Sequence, residues 1–443
     1  MINRTRLRAL LAPTADFGRA TGVLVVGIVF FTIGCLLSFE SVLSPILESI
    51  GSSIEGGISV LVRPWPQIDA DVAAHAAGGI LLLTGFVMCF AGGKLAFRRL
   101  LEVINPDLKG GVRDLLKQRQ RLAYGPRIVT LGGGTGLSTL LRGLKNHSSN
   151  ITAIVTVTDD GGSSGRLVAE KGMIPPGDIR NCLVALADAE TSMTALFQHR
   201  FKHDSGTLSG HSMGNLLIAA LVDQASGDFE KAVGIASDVL NIRGNVVPST
   251  LDHVGLRAVL EDGREVCGET AIVASGSRIR RIYLDPANCT PHPMAIKAIQ
   301  EADLICIGPG SVYTSVIPNL LVPGIAQALR DSKVPRVYIC NVMTQPGESD
   351  RFTASEHVTT IQLNVEKRIF DHVLVNTAMP SQSAIEKYRG SGQHVVDPDI
   401  DVIRTMGFRT VVGNFISETD VVRHDPARVA ARLIQLASKW RSR

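Results

Sequence analysis

The residues best suited to chemistry lie between Arg127 and Asn181. A short apolar run, residues 127–131, leads directly into the turn Gly132-Gly133-Gly134-Thr135-Gly136. Glycines allow a positive φ and let a phosphate approach the main chain, and the unpaired N–H groups that open a following helix attract an anion. The turn therefore predicts a nucleotide-binding site, and a tight strand-to-helix turn without a ligand is the alternative.

An acidic turn follows the next apolar run. Residues 151–157 lead into Thr158-Asp159-Asp160-Gly161-Gly162-Ser163-Ser164-Gly165-Arg166, and an acidic side chain at this place in a βαβ unit can hold a ribose hydroxyl. From Gly134 the first turn has the pattern G-x-G-x-x-T, so the third glycine of the dinucleotide fingerprint is missing, and the lysine of a P-loop is missing too. The interpretation of this chain as a nicotinamide dehydrogenase is therefore supported by the first turn alone.

Four further polar segments have the composition of ligand-facing turns. They are residues 175–181, 209–215, 308–315 and 341–350, and the last two directly follow apolar strand-like runs. Ligands in open α/β sheets bind outside the carboxyl ends of the strands. The two turns described first and the two that follow strands here therefore predict one shared site at that edge.

Several side chains in these segments have two interpretations. Asp178 is either the N-cap of a helix that starts at Ile179 or a ligand contact. Arg166 and Arg180 are either phosphate contacts or solvated surface side chains. His211 is either an acid/base group or a side chain that hydrogen-bonds its own loop, and the sequence favours the loop.

The candidate ligand-binding residues share a position in one of these turns. They are Gly133, Gly134, Thr135, Gly136, Asp159, Asp160, Gly161, Gly162, Ser163, Arg166, Gly177, Asp178, Arg180, Asn181, His211, Asn215, Gly308, Gly310, Ser311, Thr314, Asn341, Thr344 and Gln345. Asp159 and Asp160 are also the candidate catalytic residues if the protein is a transferase. The metal ligands are left open: in a transferase, Asp159 or Asp160 would hold Mg²⁺ or deprotonate the acceptor hydroxyl, while Arg166 and Arg180 would steady the diphosphate.

The repeated order of apolar strand and amphipathic helix predicts an α/β, Rossmann-like and mostly parallel sheet. Residues 246–285 contain a hairpin signal at 261–264 and predict a small antiparallel insertion whose arginines coat an edge strand. Strands near 372–376 and 409–414 and a closing helix over 426–440 complete the predicted domain, residues 127–443.

Composition excludes several classes of protein. The 443 residues can bury a large core, and the formal net charge of +4 has no basic, aromatic-laced patch of the kind that binds nucleic acid. The seven cysteines include no C-x-x-C pair and are interpreted as small buried residues in a reduced compartment.

The N-terminal region, residues 1–98, predicts a membrane anchor. Residues 20–39 carry no charge and residues 73–93 contain only His75, so each is long and apolar enough to span a bilayer as a helix. A signal peptide is the less favoured interpretation of the first run, because no small-residue cleavage site follows it. Basic residues flank the pair on both outer sides, while the loop of residues 40–72 is acidic. The positive-inside rule then predicts a multi-pass protein of the cytoplasmic (inner) membrane. Its helical connector, residues 99–126, and its nucleotide-binding domain lie in the cytoplasm.

The ordered motifs resemble one known family. The glycine turn, the acidic turn, Pro175-Pro176-Gly177-Asp178-Ile179-Arg180-Asn181, Gly308-Pro309-Gly310-Ser311 and the segment 341–348 are similar to the YvcK group of the CofD-like family, the gluconeogenesis factors. The resemblance covers about residues 127–443. The membrane hairpin is an addition to the usual soluble pattern.

The resemblance implies a regulator that binds a nucleotide-diphosphate sugar, typically UDP-N-acetylglucosamine, and acts on cell shape, envelope synthesis and gluconeogenic growth. Envelope-synthesis proteins are implied partners, and homo-oligomers remain an open alternative. The sister branch, the 2-phospho-L-lactate transferases, implies instead a Mg²⁺-dependent transfer of a phospholactyl or phosphoenolpyruvyl group from a nucleotide diphosphate carrier. The motifs after Asp159 and Asp160 follow the regulatory branch, so catalysis is left undecided and no cofactor is certain.

Overall fold

The computed structural model describes residues 22–35, 70–104, 112–188, 190–202, 206–366, 368–418 and 421–441. The chain divides into two compact units, Met1–Arg119 and Gln120–Arg443. A helix that spans Val112–Ala123 contains the boundary between them. Each unit is described separately below.

The first unit contains two apolar helices, Gly22–Cys35 and Ala70–Ile104. Their backbones approach closely at glycines: a Cβ added at Gly27 would lie 2.6 Å from the Cys89 nitrogen, and one at Gly34 would lie 2.5 Å from the Leu82 nitrogen. Glycines at such positions let two helices pack with their main chains almost in contact.

Two membrane-spanning helices were expected here, over residues 20–39 and 73–93. Within the described residues one helix is long and apolar enough to cross a membrane, at His75–Phe97. The described part of the other, Gly22–Cys35, is shorter than a span, and residues 36–39 lie outside the described residues.

The second unit is built on a seven-stranded sheet with the order β10-β9-β8-β7-β1-β2-β3. All six neighbouring pairs are parallel. Its strands are β1 (Ile128–Gly132), β2 (Ile151–Val155), β3 (Asn245–Pro248), β7 (Leu304–Ile307), β8 (Arg336–Ile339), β9 (His372–Asn376) and β10 (Arg409–Gly413). The prediction of a Rossmann-like, mostly parallel α/β fold is confirmed.

Helices cover both faces of this sheet. Successive residues of a strand point to opposite faces, so Ile128 packs in one hydrophobic cluster and Val129 in the other. The first cluster packs against Gly134–Leu144, Gly177–Leu186, Met213–Gln224, Phe229–Leu240 and Pro426–Arg441; the second packs against Pro293–Glu301, Ile317–Leu321, Ile325–Asp331, Ala354–Val365 and Ile400–Thr405. The remaining helices are Gly162–Lys171, Glu190–Gln198, Glu269–Ala274 and Gln382–Arg389, with shorter helical turns at Gly206–Leu208 and Val312–Val316. Because both faces are buried, the strands are continuous apolar runs.

Two small antiparallel sheets complete the unit. The first has the order β5-β4-β6, with β4 at Gly255–Leu260, β5 at Glu265–Cys267 and β6 at Ile279–Asp285. The second pairs β11 (Ile416–Glu418) with β12 (Val422–His424). The antiparallel insertion is confirmed, although its predicted start at residue 246 is wrong, because β3 pairs in parallel with β2 as an edge of the main sheet.

The strand order reverses direction at β1. The chain proceeds from β1 through β2 to β3 on one side, and then returns to β7 on the other side of β1. In doubly wound sheets the crevice beyond the carboxyl ends of two such strands is the usual place for a ligand. The glycine turns after β1 and β7 both lie at this crevice.

Candidate functional site

A cavity of about 540 Å³ lies at the carboxyl edge of the main sheet. It receives residues from all four turns that follow β1, β2, β7 and β8, as the sequence pattern predicts. The predicted residues that line it are Gly133, Gly134, Thr135, Gly136, Asp159, Asp178, Gly310, Ser311, Asn341, Thr344 and Gln345.

The turns after β1 and β7 are in direct contact. A Cβ at Gly136 would lie 2.5 Å from the carbonyl oxygen of Pro309, so only glycine allows this approach. Gly134 has a φ of +63° and opens the helix Gly134–Leu144. The Gly134 N–H is accepted by the Asp178 carboxyl, and the other N–H groups of that first helical turn have no carbonyl partner within the helix. They border the cavity, which makes this wall suitable for an anion.

Side-chain amides fix the turns to each other. The Asn341 amide donates to the Gly310 carbonyl over 2.8 Å, and the Gly310 N–H donates to the Asn341 oxygen over 3.1 Å. Asn319 donates to the carbonyls of Gly132 (3.1 Å) and Ser315 (2.8 Å). These hydrogen bonds join protein groups only, so they hold the cavity walls in place without a ligand.

The two aspartates of the acidic turn have different surroundings. Asp159 accepts the Gly161 N–H over 2.9 Å and its side chain lines the cavity. Asp160 instead accepts the N–H and the hydroxyl of Thr270, at 2.9 and 2.8 Å, and borders a separate, smaller cavity. The structure therefore gives Asp160 a structural partner at the start of helix Glu269–Ala274.

Asp178 does not cap its helix, so the N-cap interpretation is wrong. The helix begins at Gly177 with Pro176 as its N-cap, which places Asp178 inside the first turn. Its carboxyl accepts the Gly134 N–H and lies against the position where Gly133 would carry a Cβ. Burial, and to a lesser degree the charge of Asp159, raises the pKa of Asp178 to about 6.

Glu269 is a further carboxyl in the cavity wall. Burial raises its pKa to about 9, and the nearby carboxylates of Asp159 and Asp178 add to the shift. At neutral pH Glu269 is therefore a neutral carboxylic acid that can donate a hydrogen bond. In this neutral form Glu269 adds no negative charge to the wall that would face a phosphate.

A second group of predicted residues forms a buried polar cluster next to the cavity. Arg180 donates to Ser212 over 2.5 Å and to the Asn215 oxygen over 2.8 Å, and a further N–H of its guanidinium bonds Asn181. His211 shares a 3.0 Å hydrogen bond with Ser163, in the first turn of helix Gly162–Lys171, and lies outside the cavity lining. Burial lowers the pKa of His211.

The predicted residues outside the cavity lining therefore have mostly structural contacts. Arg166 donates to the Ser209 carbonyl over 2.7 Å, and Thr314 donates to Glu348 over 3.1 Å. The complete set outside the lining is Asp160, Gly161, Gly162, Ser163, Arg166, Gly177, Arg180, Asn181, His211, Asn215, Gly308 and Thr314. Arg180 bonds three neighbouring side chains and lies outside the cavity lining, so the structure gives no support to its interpretation as a phosphate contact.

The cavity also contains residues that sequence reasoning missed. Arg423 and His424 come from β12, and Tyr388 and Gln393 come from the segment that supports it; the Tyr388 hydroxyl accepts the Val422 N–H over 2.8 Å. Burial lowers the pKa of His424 to about 4, and its Nε2 is buried without a hydrogen-bond partner among the described residues. The expectation that ligand-binding residues follow parallel strands could not identify these side chains, because they lie on an antiparallel pair of strands. The Arg-His sequence at 423–424 was the available signal.

The acidic wall has the donors that a hard cation prefers. Among the described residues, no three His, Cys, Asp or Glu side chains are grouped closely enough to hold a metal by themselves. Mg²⁺ commonly uses one or two carboxylates together with phosphate oxygens of its substrate. Asp159 and Asp178 fit that requirement, since both carboxyl groups line the same cavity.

Comparison with known proteins places these features in one family. The family model described as 2-phospho-L-lactate transferase CofD matches residues 128–416. The gluconeogenesis factor of Bacillus subtilis is 48% identical over 312 residues, which cover 70% of this chain and 98% of that protein. A relative from Nostoc sp. that also bears the name gluconeogenesis factor is 48% identical over 384 residues, covering 86% of this chain and 83% of that protein.

Solved structures agree with the sequence relatives. A crystal structure of a member of the UPF0052 family from Bacillus halodurans matches with a TM-score of 0.67 and 45% identity, covering 70% of this chain and 99% of that one. A second structure, from the same organism, matches with a TM-score of 0.68 and 46% identity and is covered completely. Each of those chains is covered almost completely by 70% of this one, a share close to the length of the second unit, so a protein of that extent folds independently. The chain belongs to the CofD-like family, in its group of gluconeogenesis factors.

Proposed function

We propose that this chain is a membrane-tethered cytosolic regulator that binds a UDP-sugar of the UDP-N-acetylglucosamine type at the carboxyl-edge cavity. In this role it would couple the level of that metabolite to cell shape, envelope synthesis and growth on gluconeogenic carbon sources. The observation that carries the proposal is the convergence of the turns after β1, β2, β7 and β8 on one cavity. A volume of about 540 Å³ lies in the range of sites for ligands of this size.

The cavity walls offer complementary groups for the parts of such a ligand. The N–H groups at the start of helix Gly134–Leu144 and the side chain of Arg423 suit a diphosphate. Asn341, Thr344 and Gln345 are further polar residues of the lining, as a sugar or base requires. The buried Nε2 of His424 has no hydrogen-bond partner in the part of the chain that the structure describes, and a ligand donor would satisfy it.

Calorimetric titration of residues 120–443 with UDP-N-acetylglucosamine tests this proposal. We expect saturable binding at one site, and weaker or undetectable heats with GDP and NAD under the same conditions. The absence of binding at millimolar UDP-N-acetylglucosamine would contradict the proposal. Tighter binding of GDP than of the UDP-sugar would favour the second candidate below.

The second candidate is a transferase of the 2-phospho-L-lactate type. The specific observation in its favour is that the carboxyl groups of Asp159 and Asp178 line the same cavity. Mg²⁺ bound there would neutralise the negative charge of a diphosphate. In that case Asp159 would also lie where an acceptor hydroxyl must lose its proton. Release of GMP from a guanosine diphosphate-linked donor would support it, and Asp159→Asn should then remove turnover while binding persists.

The tether proposed here is a helical hairpin that crosses the membrane twice. Apolar side chains on both helices of the first unit are more than half exposed, among them Ile28, Leu83, Phe86 and Phe90. The hydroxyls of Thr32 and Thr84 bond carbonyls of their own helices at 2.8 and 2.7 Å, which satisfies them without water. Such surfaces suit a lipid environment, and the basic flanking residues favour cytoplasmic ends.

A further inference from the structure

The opposite edge of the main sheet contains a second cavity with a strong positive charge. It has a volume of about 480 Å³ and lies where β8, β9 and β10 begin. Its wall contains five cationic side chains, Lys333, Arg336, Arg368, Arg409 and Lys439, against a single carboxylate, Asp371. The carboxyl-edge cavity has the reverse balance, with Arg423 as the one arginine or lysine in its lining.

The single carboxylate is already neutralised. Arg336 donates through Nε and Nη2 to the two oxygens of Asp371, at 2.9 and 2.7 Å. Its third group, Nη1, donates to the Leu329 carbonyl over 2.7 Å. Arg336 and Asp371 therefore form a paired floor of the cavity, in which both oxygens of Asp371 accept from Arg336.

Arg368 is held with its charge at the cavity. Its guanidinium lies 4.4 Å from the centre of the Phe408 ring, and its Nη2 donates to the Gly407 carbonyl over 2.8 Å. A guanidinium fixed in this way loses little side-chain entropy when its remaining N–H groups bind an anion. This arrangement is more ordered than that of a solvated surface arginine.

Two cationic side chains of the wall have no acidic partner among the described residues. The side chains of Lys333 and Arg409 are exposed, and neither makes a hydrogen bond or ion pair with a described residue. Like charges in one concavity repel each other, and a bound anion removes this repulsion. The Nδ1 of His372, in the same wall, is buried without a hydrogen-bond partner among the described residues.

We propose that this amino-edge cavity binds a phosphate-bearing anion, in a site separate from the nucleotide-type cavity. Guanidinium groups match phosphate oxygens in geometry as well as in charge, and several cations around about 480 Å³ suit more than one phosphate group. The source is either a free phosphorylated metabolite or the headgroup of an anionic lipid. The lipid is relevant because β1 also begins at this edge, so the chain enters the domain there.

Trp440 provides a local probe of this cavity. It lines the cavity, and the second tryptophan of the chain, Trp65, precedes the domain. Residues 120–443 can therefore be titrated by tryptophan fluorescence, with inorganic pyrophosphate in one arm and phosphatidylglycerol vesicles in the other. Phosphatidylcholine vesicles serve as the uncharged-surface control. We expect a saturable change in at least one arm, weakened by added salt.

The matched variants are Lys333→Glu and Arg409→Glu, with Lys297→Glu as the control. Lys297 is exposed on helix Pro293–Glu301, outside both cavities. We expect each of the first two changes to weaken binding about tenfold and the control to leave it unchanged. Circular dichroism checks that each variant is folded. Equilibrium dialysis with labelled pyrophosphate should show one bound equivalent fewer in the Lys333→Glu/Arg409→Glu double variant if the ligand is a free phosphate.

The arms separate the two sources. Response to pyrophosphate alone assigns the site to a soluble phosphate, and response to phosphatidylglycerol vesicles alone assigns it to lipid headgroups. The proposal is overturned if neither probe binds by fluorescence or dialysis. It is equally overturned if binding is the same in wild type, Lys333→Glu and Arg409→Glu.

Discussion

Glu269 shows how one buried carboxyl connects the stability of the domain to pH. It lies in the wall of the carboxyl-edge cavity, and burial together with Asp159 and Asp178 raises its pKa to about 9. The folded state therefore holds a proton that the unfolded state releases above its ordinary pKa of 4.5. The free energy of unfolding consequently falls as the pH rises from that value to about 9.

The substitution Glu269→Gln should remove this dependence, because glutamine is neutral in both states. We expect the variant to exceed the wild type in unfolding free energy by on the order of 2 kcal/mol at pH 8, with little difference at pH 5. Urea denaturation of residues 120–443 at the two pH values measures it. Glu265→Gln, an exposed change in the same insertion, is the control. An equal effect of Glu269→Gln at both pH values would refute the assignment.

Two arginines that are alike in chemistry should respond differently to truncation. Arg180 is buried and bonded to Ser212, Asn215 and Asn181, whereas Arg423 is exposed in the cavity lining. Arg180→Ala leaves buried polar partners unsatisfied and should lower the unfolding free energy by about 2–4 kcal/mol. Arg423→Ala should leave stability nearly unchanged and weaken UDP-N-acetylglucosamine binding about tenfold or more.

Denaturation and calorimetry on the same two variants separate these roles. The folded fraction of Arg180→Ala should still bind the ligand, because Arg180 lies outside the cavity lining. If Arg180→Ala is stable but does not bind, the structural assignment of this arginine is wrong. If Arg423→Ala binds like the wild type, the diphosphate does not lie against β12.

At the scale of elements, the contact between the turns after β1 and β7 depends on Gly136. Within a helix, glycine is normally less favourable than alanine by about 1 kcal/mol. Here a Cβ would lie 2.5 Å from the Pro309 carbonyl oxygen, which is backbone and cannot rotate away. Gly136→Ala should therefore separate the two turns, lower the thermal midpoint and abolish ligand binding.

Gly234→Ala is the matched control for this steric argument. Gly234 also lies inside a helix, Phe229–Leu240, and a Cβ there would have no atom within 4 Å. We expect this variant to be more stable than the wild type by about 0.5–1 kcal/mol and to bind normally. Thermal unfolding and calorimetry of both variants decide the matter. A neutral effect of Gly136→Ala would show that the turns can move apart without loss.

The elements also show what the sequence could predict. Continuous apolar strands followed by glycine or acidic turns give the parallel sheet and its ligand edge, because in a parallel sheet all carboxyl ends lie on one side. The same logic failed for Arg423 and His424, which reach the cavity from an antiparallel pair near the C-terminus. It also failed for Glu269, whose position depends on how the insertion folds back over the sheet.

The contacts of Asp178 and Arg180 could not be predicted from the sequence for a different reason. Local rules for helix starts gave a cap or a ligand contact for Asp178, and a phosphate contact or a solvated side chain for Arg180. Both side chains instead bond groups distant in sequence, at Gly134 and at Ser212 and Asn215. Such partners are determined by tertiary packing, which propensities of a single segment do not contain.

At the scale of the whole molecule, the N-terminal unit is the feature that distinguishes this chain from the shorter relatives. The Bacillus subtilis protein is covered almost completely by 70% of this chain. The match to the Nostoc relative spans 86% of the chain, more than Gln120–Arg443 alone can supply, so it extends into the N-terminal unit. Part of the added segment is therefore shared with at least one other member of the group.

The number of membrane crossings can be decided by where the N-terminus lies. With the domain in the cytoplasm, a hairpin of two spans returns residues 1–19 to the cytoplasm, whereas a single span at His75–Phe97 leaves them outside. A fluorescent protein that matures only in the cytoplasm, fused to Met1, should therefore be bright. Alkaline phosphatase inserted between residues 50 and 60 should be active, because the hairpin places that loop outside. Alkaline carbonate washing should leave the full chain in the membrane pellet and release residues 120–443. If the N-terminal fusion is dark and the chain still resists the carbonate wash, the chain crosses the membrane once and the hairpin is wrong.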